Sequence, residues 1–267
     1  MTFPFYFVNI NHQKPKKAEI IDCYEISYDK KFYKIKAPLD FKPGQFVEIS
    51  LAGIGEFPVS IASPPSTKDY FEICIKKVGR ATSYLYRMKE GDFIGVRGPY
   101  GNGFPVEKII GKKIIIIAGG IGIIPLRSFI KETIMQKWHA SLKILYGARD
   151  PQNMLFRDEI RDWKKHAEVI EVFERGGERR GLVSEFVGEA DITGDEYVFV
   201  CGPPAMFKPV GEKLIEKGVD KKNIFLSVER KMRCGIGKCG HCIFGGRYYT
   251  CIDGPVFSYE NFLHAIL

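Results

Sequence analysis

The chain has 267 residues, long enough for two domains of about 100 to 150 residues with a short appendage and for a sizeable core. Its formal net charge is +8, from 40 Lys and Arg against 32 Asp and Glu. The cations are scattered and the tyrosines form no base-stacking signature, which argues against nucleic acid and leaves a solvated basic surface, sites for anionic cofactors, or a face for an acidic partner. The opening Met-Thr-Phe-Pro-Phe-Tyr-Phe has neither a basic nor a long apolar region, so no export signal is expected and the chain reads as cytoplasmic. The uncharged stretch Ile114–Leu126 is too short and too interrupted by Gly and Pro to insert in a membrane.

In chain order, residues 18–37 alternate apolar and polar side chains as two strands, Lys42-Pro-Gly44 makes a turn, and 45–51 forms the next strand. Extended runs follow at 57–62, 70–78 and 93–97. Many short antiparallel strands with no long helix predict a small β-barrel. One helix interrupts them at about 82–88, with Thr82 as its N-cap. From residue 111 strands at 113–118, 142–146, 168–173 and 197–200 alternate with helical patterns at 124–136, 153–164 and 204–217. Largely apolar strands with helical crossovers predict an α/β parallel sheet covered on both faces. The expected division is 1–110 for the barrel, 111–227 for the α/β domain and 228–267 for a small C-terminal segment; no internal repeat is found.

The first parallel strand runs into Ala118-Gly-Gly-Ile-Gly-Ile-Ile-Pro125. Gly119, Gly120 and Gly122 permit a sharp turn, Pro125 suits the first turn of the next helix, and that helix N-terminus can receive a pyrophosphate. A plain structural turn is the competing reading, because the standard G-x-G-x-x-G spacing is not met. The fourth parallel strand ends in Cys201-Gly202-Pro203-Pro204-Ala205-Met206. Ligands of open α/β sheets bind beyond the carboxyl ends of strands, so the two turns converge on one crevice. In the barrel half, Ile75 and Lys76 lead through Gly79, Arg80, Ala81 and Thr82 into another helix N-terminus suited to phosphate.

Near the C-terminus lie Cys234, Cys239, Cys242 and Cys251. The first three follow C-x4-C-x2-C, the spacing of plant-type 2Fe-2S ferredoxins, and the fourth completes an all-thiolate shell for two irons. Gly235, Gly237 and Gly240 between them let backbone N–H groups approach the sulfurs. A structural zinc site and a disulfide pair are the competing readings. Cys23 and Cys74 lie singly in apolar stretches and read as ordinary buried thiols, and His241 as a surface turn residue.

Taken in order, the barrel, G-G-x-G-x-x-P, C-G-P-x-x-M and C-G-x-G-K-C-G-H-C resemble the ferredoxin-NADP reductase superfamily. Within it, the chain resembles the flavin and iron-sulfur electron-transfer subunits of sulfhydrogenases, of anaerobic sulfite reductase and of one class of dihydroorotate dehydrogenase. The resemblance implies FAD in the barrel, NADH or NADPH in the α/β domain and a 2Fe-2S cluster at the C-terminus. It implies that Pro58, Val59 and Ser60 line the flavin ring, that Gly79–Thr82 hold its pyrophosphate, and that Cys201 lies at the nicotinamide. Phe57 and Val59 stand where the family has an arginine and a tyrosine. Arg149, after the second parallel strand, is placed to meet an adenosine 2′-phosphate.

Nicotinamide exchanges two electrons as hydride and a cluster exchanges one at a time, so the flavin must stand between them. The expected protein is an NAD(P)H-dependent flavin iron-sulfur oxidoreductase subunit. Its expected partner is a larger catalytic subunit with iron-sulfur or metal centres, of hydrogenase or sulfite reductase type, or a ferredoxin. Docking is expected at the cysteine segment, through a basic rim of Arg230, Lys231, Arg233 and Lys238. The alternatives are a dihydroorotate dehydrogenase electron-transfer subunit and a zinc-binding, nucleotide-dependent sensor without turnover.

Overall fold

The computed structural model describes residues 14–266, so the N-terminal heptapeptide read above lies outside the described residues. Strands β1 (Lys16–Ser27), β2 (Lys30–Lys36), β3 (Phe46–Leu51), β4 (Gly55–Ser60), β5 (Phe71–Lys76) and β6 (Phe93–Tyr100) form one antiparallel sheet in the order β4-β3-β6-β1-β2-β5. Ile61 bridges Ile73, and the Ala62 amide donates to the Glu72 carbonyl at 2.8 Å, so the two edge strands meet and the sheet closes as a barrel. Alternation places Ile20, Tyr33, Ile35, Val47, Ile49 and Ile73 inside, all with no accessible surface. Helix α1 (Arg80–Arg87) plugs one end with Leu85, whose carbonyl accepts from the Tyr33 hydroxyl at 2.7 Å.

The α1 boundary corrects one expectation. The helix starts two residues earlier than the sequence suggests, with Gly79 as N-cap. Thr82 sits inside the first turn, its hydroxyl accepting from the amides of Val78 and Gly79 at 3.0 Å.

The second half is a six-stranded sheet ordered β14-β11-β10-β7-β8-β9. Strands β7 (Lys112–Gly119), β8 (His139–Ala148), β9 (Glu168–Phe173), β10 (Tyr197–Cys201) and β11 (Ile224–Ser227) are parallel, and β14 (Val256–Ser258) is antiparallel to β11. Along β7, Ile114 and Ile116 enter one core while Ile115 and Ile117 enter the other, and all four are buried. That two-sided burial produces the unbroken apolar run. Helices α2 (Ile123–Met135), α3 (Arg157–Trp163) and α4 (Pro204–Glu216) cover the faces.

The pattern read as one helix over 153–164 is broken. A single 3-10 turn spans Pro151–Asn153, capped by the Asp150 carboxylate, and Phe156 adopts a left-handed φ of 59° before α3 begins. The turn swings the Phe156 ring onto Arg127 of α2, whose guanidinium also lies over Phe32 of the barrel, each ring centroid 5.0 Å away.

Residues after β11 leave the sheet, make the cysteine loop and a hairpin of β12 (Ile243–Phe244) and β13 (Tyr248–Tyr249), then return as β14 and α5 (Tyr259–Ile266). The last strand and helix are therefore part of the α/β layer. Tyr259 packs onto Gly211 of α4, where an added Cβ would lie 2.2 Å from the ring. Among the described residues no helix is long and apolar enough to cross a membrane.

Candidate functional site

Two clefts open between the barrel and the sheet. The first, about 530 Å³, lies beyond the carboxyl ends of β7, β8 and β10. Gly119, Gly120, Gly122, Arg149, Gly202 and Pro203 line it with Cys201. The turn after β7 needs its glycines: an added Cβ on Gly122 would lie 2.3 Å from the Cys201 carbonyl oxygen, and one on Gly119 would lie 2.8 Å from the Met206 sulfur. Met206 thus packs behind the turn, and the ends of β7 and β10 come together as one phosphate-sized cradle. No side chain caps the start of α2, which continues directly from a 3-10 turn over Gly120–Gly122 whose Gly120 carbonyl accepts from the Ile123 amide.

The second cleft, about 740 Å³, runs along the barrel. Pro58, Val59 and Ser60 of β4, Ile75 and Lys76 of β5, and Thr82 line one wall. Gly79, Arg80 and Ala81 form the N-cap and first turn of α1 between the lining residues Val78 and Thr82, again without a side-chain cap on that N-terminus. Cys74 also reaches this wall, and burial pushes its thiol up to about 12, consistent with an inert packed cysteine.

The clefts meet. Lys76, Ile121, Val228, Glu229 and Arg230 line both. Only Lys76 of these five was singled out from sequence for a cofactor. The signal for the rest was the position of Val228–Arg230 just past the carboxyl end of β11, where ligands of such sheets gather. At this junction burial holds the Cys201 thiol well above its usual range, with the Glu229 charge adding to the effect and hydrogen bonds from Ser227 and the Gly202 backbone opposing it. Cys201 is therefore a neutral thiol. Glu229 is open to solvent through the cleft yet ringed by protein, and desolvation raises its carboxyl above the usual range.

The far wall of the second cleft is the segment leading to the cysteines: Arg230, Lys231, Met232 and Arg233 line it, with His241. All four cations of the expected basic rim are exposed. Three of its four cations face the cofactor cleft, and Lys238 alone lies outside it. Met232 is buried beside Cys242 and Cys251, so its exposed neighbours Lys231 and Arg233 are turned to the cleft.

The four cysteines form two pairs. Cys242 and Cys251 have sulfurs 3.3 Å apart, and Cys234 is near enough to Cys239 to help hold its thiol below the usual range. Among the described residues no group of three or more metal-ligating side chains closes on a single point. Gly235, Gly237 and Gly240 have φ of 69°, 70° and 75°, the left-handed region that turns successive amides inward. The Gly237 amide donates to the Cys251 sulfur at 3.2 Å and the Lys238 amide to the Cys234 sulfur at 3.3 Å. The His241 amide, more than any other group, holds the Cys239 thiol below its usual range. Paired thiols that already accept backbone hydrogen bonds fit a two-iron centre, in which each iron takes two thiolates.

The loop is fastened to the barrel by Arg97 of β6. Its guanidinium donates to both carboxylate oxygens of Glu56, to the Tyr100 hydroxyl at 2.9 Å and to the Cys234 carbonyl at 3.2 Å. Beside it Glu48 has no accessible surface, neither carboxylate oxygen has a hydrogen-bond partner, and burial pushes its pKa up to about 7 against the pull of Arg97. Asn102 adds a second fastening, with its amide nitrogen donating to the carbonyls of Asp253 and Val256.

Comparison with known proteins matches each of these regions. Residues 17–104 match the oxidoreductase FAD-binding domain, 116–212 the oxidoreductase NAD-binding domain, and 229–263 the iron-sulfur cluster binding domain of dihydroorotate dehydrogenase B. Sulfhydrogenase 2 subunit gamma of Pyrococcus furiosus is 39% identical, over 95% of this chain and 98% of that one. The chain belongs to this family of FAD-, NAD- and iron-sulfur-binding electron-transfer subunits. Another member, the probable dihydroorotate dehydrogenase B electron transfer subunit of Thermococcus kodakarensis, is 36% identical over 91% of this chain and 95% of its own. Among solved structures, one described as an NADH-dependent reduced ferredoxin-NADP oxidoreductase, studied for flavin-based electron bifurcation, superposes with a TM-score of 0.77 at 27% identity, over 91% of this chain and 88% of that one. The ferredoxin-NADP reductase-like architecture, FAD, NAD(P)H and an iron-sulfur cluster are thus properties of this chain's family and of its own domains.

Proposed function

We propose that the chain passes electrons between NAD(P)H, FAD and a 2Fe-2S cluster on Cys234, Cys239, Cys242 and Cys251, to or from a larger catalytic subunit of hydrogenase or sulfite reductase type. The observation that carries this reading is the continuity of the two clefts at Ile121, Val228 and Glu229, with the cysteine segment as the wall of the second. When bound, FAD exchanges a hydride with the nicotinamide and single electrons with the cluster. The residues supply position. The Gly119–Gly122 turn and the α2 N-terminus receive the nicotinamide dinucleotide's pyrophosphate, Arg149 meets the 2′-phosphate, and the neutral Cys201 packs against the nicotinamide end without adding charge. On the barrel side Gly79–Thr82 receive the FAD pyrophosphate, while Pro58, Val59 and Ser60 line the ring. The division at about 110 and 227 separates these roles, with residues from 256 onward serving the α/β layer structurally.

The subunit assignment is supported by the relatives' names; the hydrogenase type rests on the sulfhydrogenase subunit's higher identity. A dihydroorotate dehydrogenase B partner is the second reading, favoured by the family match over 229–263. Anaerobic purification from the native source tests both: about one FAD, two irons and acid-labile sulfide per chain are expected, together with a copurifying larger redox subunit. Stoichiometric zinc without labile sulfide would defeat the cluster, and full physiological activity of the free chain would defeat the subunit role.

A further inference from the structure

The second cleft is lopsided in charge. On its barrel side β4 supplies no cation, since position 57 is phenylalanine and Glu56 beside it is engaged by Arg97, and the cations there are Lys76 of β5 and Arg80 in the first turn of α1. The segment 229–233 that also lines it carries three cations, Arg230, Lys231 and Arg233, against one carboxylate, Glu229. Arg230 is held in place, its guanidinium donating to the Ile243 carbonyl at 3.0 Å and lying 5.6 Å from the Phe244 ring. Lys231 and Arg233 have no carboxylate within salt-bridge distance among the described residues, although Glu229 is close in sequence. Two unneutralised cations facing the same cavity repel each other, an arrangement whose natural complement is a dianion inside it.

We infer that Lys231 and Arg233, on the segment between β11 and the cysteine loop, are anion-binding residues for FAD, supplying across the cleft the positive charge that β4 lacks. This rests on the reading that FAD occupies the second cleft. The diphosphate of FAD carries two negative charges, and an arginine-phosphate contact in a partly desolvated cleft is a charge-assisted hydrogen bond. The consequence is that the flavin is gripped between two parts of the chain, one of which also carries the cluster. Flavin retention is then coupled to the fold of the cysteine segment.

The test measures FAD affinity by flavin fluorescence on protein with its cluster intact, the visible spectrum of the cluster serving as the check on folding. Neither substitution removes a backbone donor, so the Arg233 amide stays beside the Cys239 sulfur. Lys231→Gln with Arg233→Gln should weaken FAD about 100-fold, about tenfold for each charge lost, and should flatten the salt dependence of binding. Adding Phe57→Arg to that pair should restore at least tenfold from the barrel wall. Lys238→Gln, outside the cleft, should change nothing. Thr82→Val on the barrel wall separates the two ideas. If it weakens FAD while the double variant stays within twofold of the parent, the proposal is overturned and the cleft stands; if neither weakens FAD, the cleft assignment falls and takes the proposal with it.

Discussion

Two buried arginines hold this molecule together, and they are satisfied to different degrees. Arg127 on α2 joins the α/β sheet to the barrel: it donates to both oxygens of Glu159, to Glu72 at 2.7 Å and to the Ala62 carbonyl at 2.8 Å, between two phenylalanine rings. Two carboxylates there face one guanidinium and all three are hydrogen-bonded. Arg97 joins the cysteine loop to the barrel with one hydrogen-bonded carboxylate, Glu56, while a second, Glu48, is buried without a hydrogen bond and feels Arg97 only through space. The contrast separates a closed structural joint from one that keeps an acid without hydrogen bonds beside the electron-carrying end.

The largest effect is expected at the closed joint. Arg127→Ala leaves Glu72 and Glu159 facing each other in a desolvated interface and should cost about 3–5 kcal/mol. Denaturant unfolding of the holoprotein measures it; a loss under 1 kcal/mol would mean the joint is ornamental and the contrast false.

Glu48 comes next. Its folded pKa of about 7 lies above the ordinary glutamate value, so between roughly pH 4.5 and 7 the unfolded chain gives up a proton that the folded chain keeps. Stability should fall as pH rises through that window, by on the order of 3 kcal/mol, and level off above it. Glu48→Gln should remove this slope. An unchanged slope in the variant would assign the pH dependence elsewhere.

Arg97→Ala should cost less, roughly 2 kcal/mol, because it strands one hydrogen-bonded carboxylate, Glu56, where Arg127→Ala strands two. Its sharper signature is local: the cluster's circular dichroism should change, as it should not in Arg127→Ala. The smallest effect belongs to a third arginine that clamps nothing. Arg149→Ala should leave stability within about 0.5 kcal/mol and weaken NADPH about tenfold more than NADH. Equal weakening of both nucleotides would remove Arg149 from specificity.

Much of this was legible because both halves repeat a local rule. Alternation gives the barrel strands, the Ile114–Ile117 run gives a strand covered on both faces, and cysteine spacing locates the cluster loop. What was not legible depends on long-range contact. Glu48 sits in a barrel strand as an outward residue, and only the cysteine loop folded over it makes it buried. Arg230, Lys231 and Arg233 look like surface charge until the second cleft gives them an inside. Val256–Ser258 is too short to read as a strand, and its place beside β11 comes from tertiary docking. Phe156 takes a left-handed backbone that ends the helical pattern and sets its ring on Arg127, a contact no local propensity reports.

The antiparallel edge strand has one more consequence, for the order of assembly. The cysteine loop is held at its leading end by β11 and the Arg97–Cys234 contact, and at its trailing end only once β14 pairs with β11. Asn102, waiting on the barrel, can bind the carbonyls of Asp253 and Val256 only after that point. Fastening of the cysteine loop is thus a late, long-range step of folding, completed only when β14 docks beside β11.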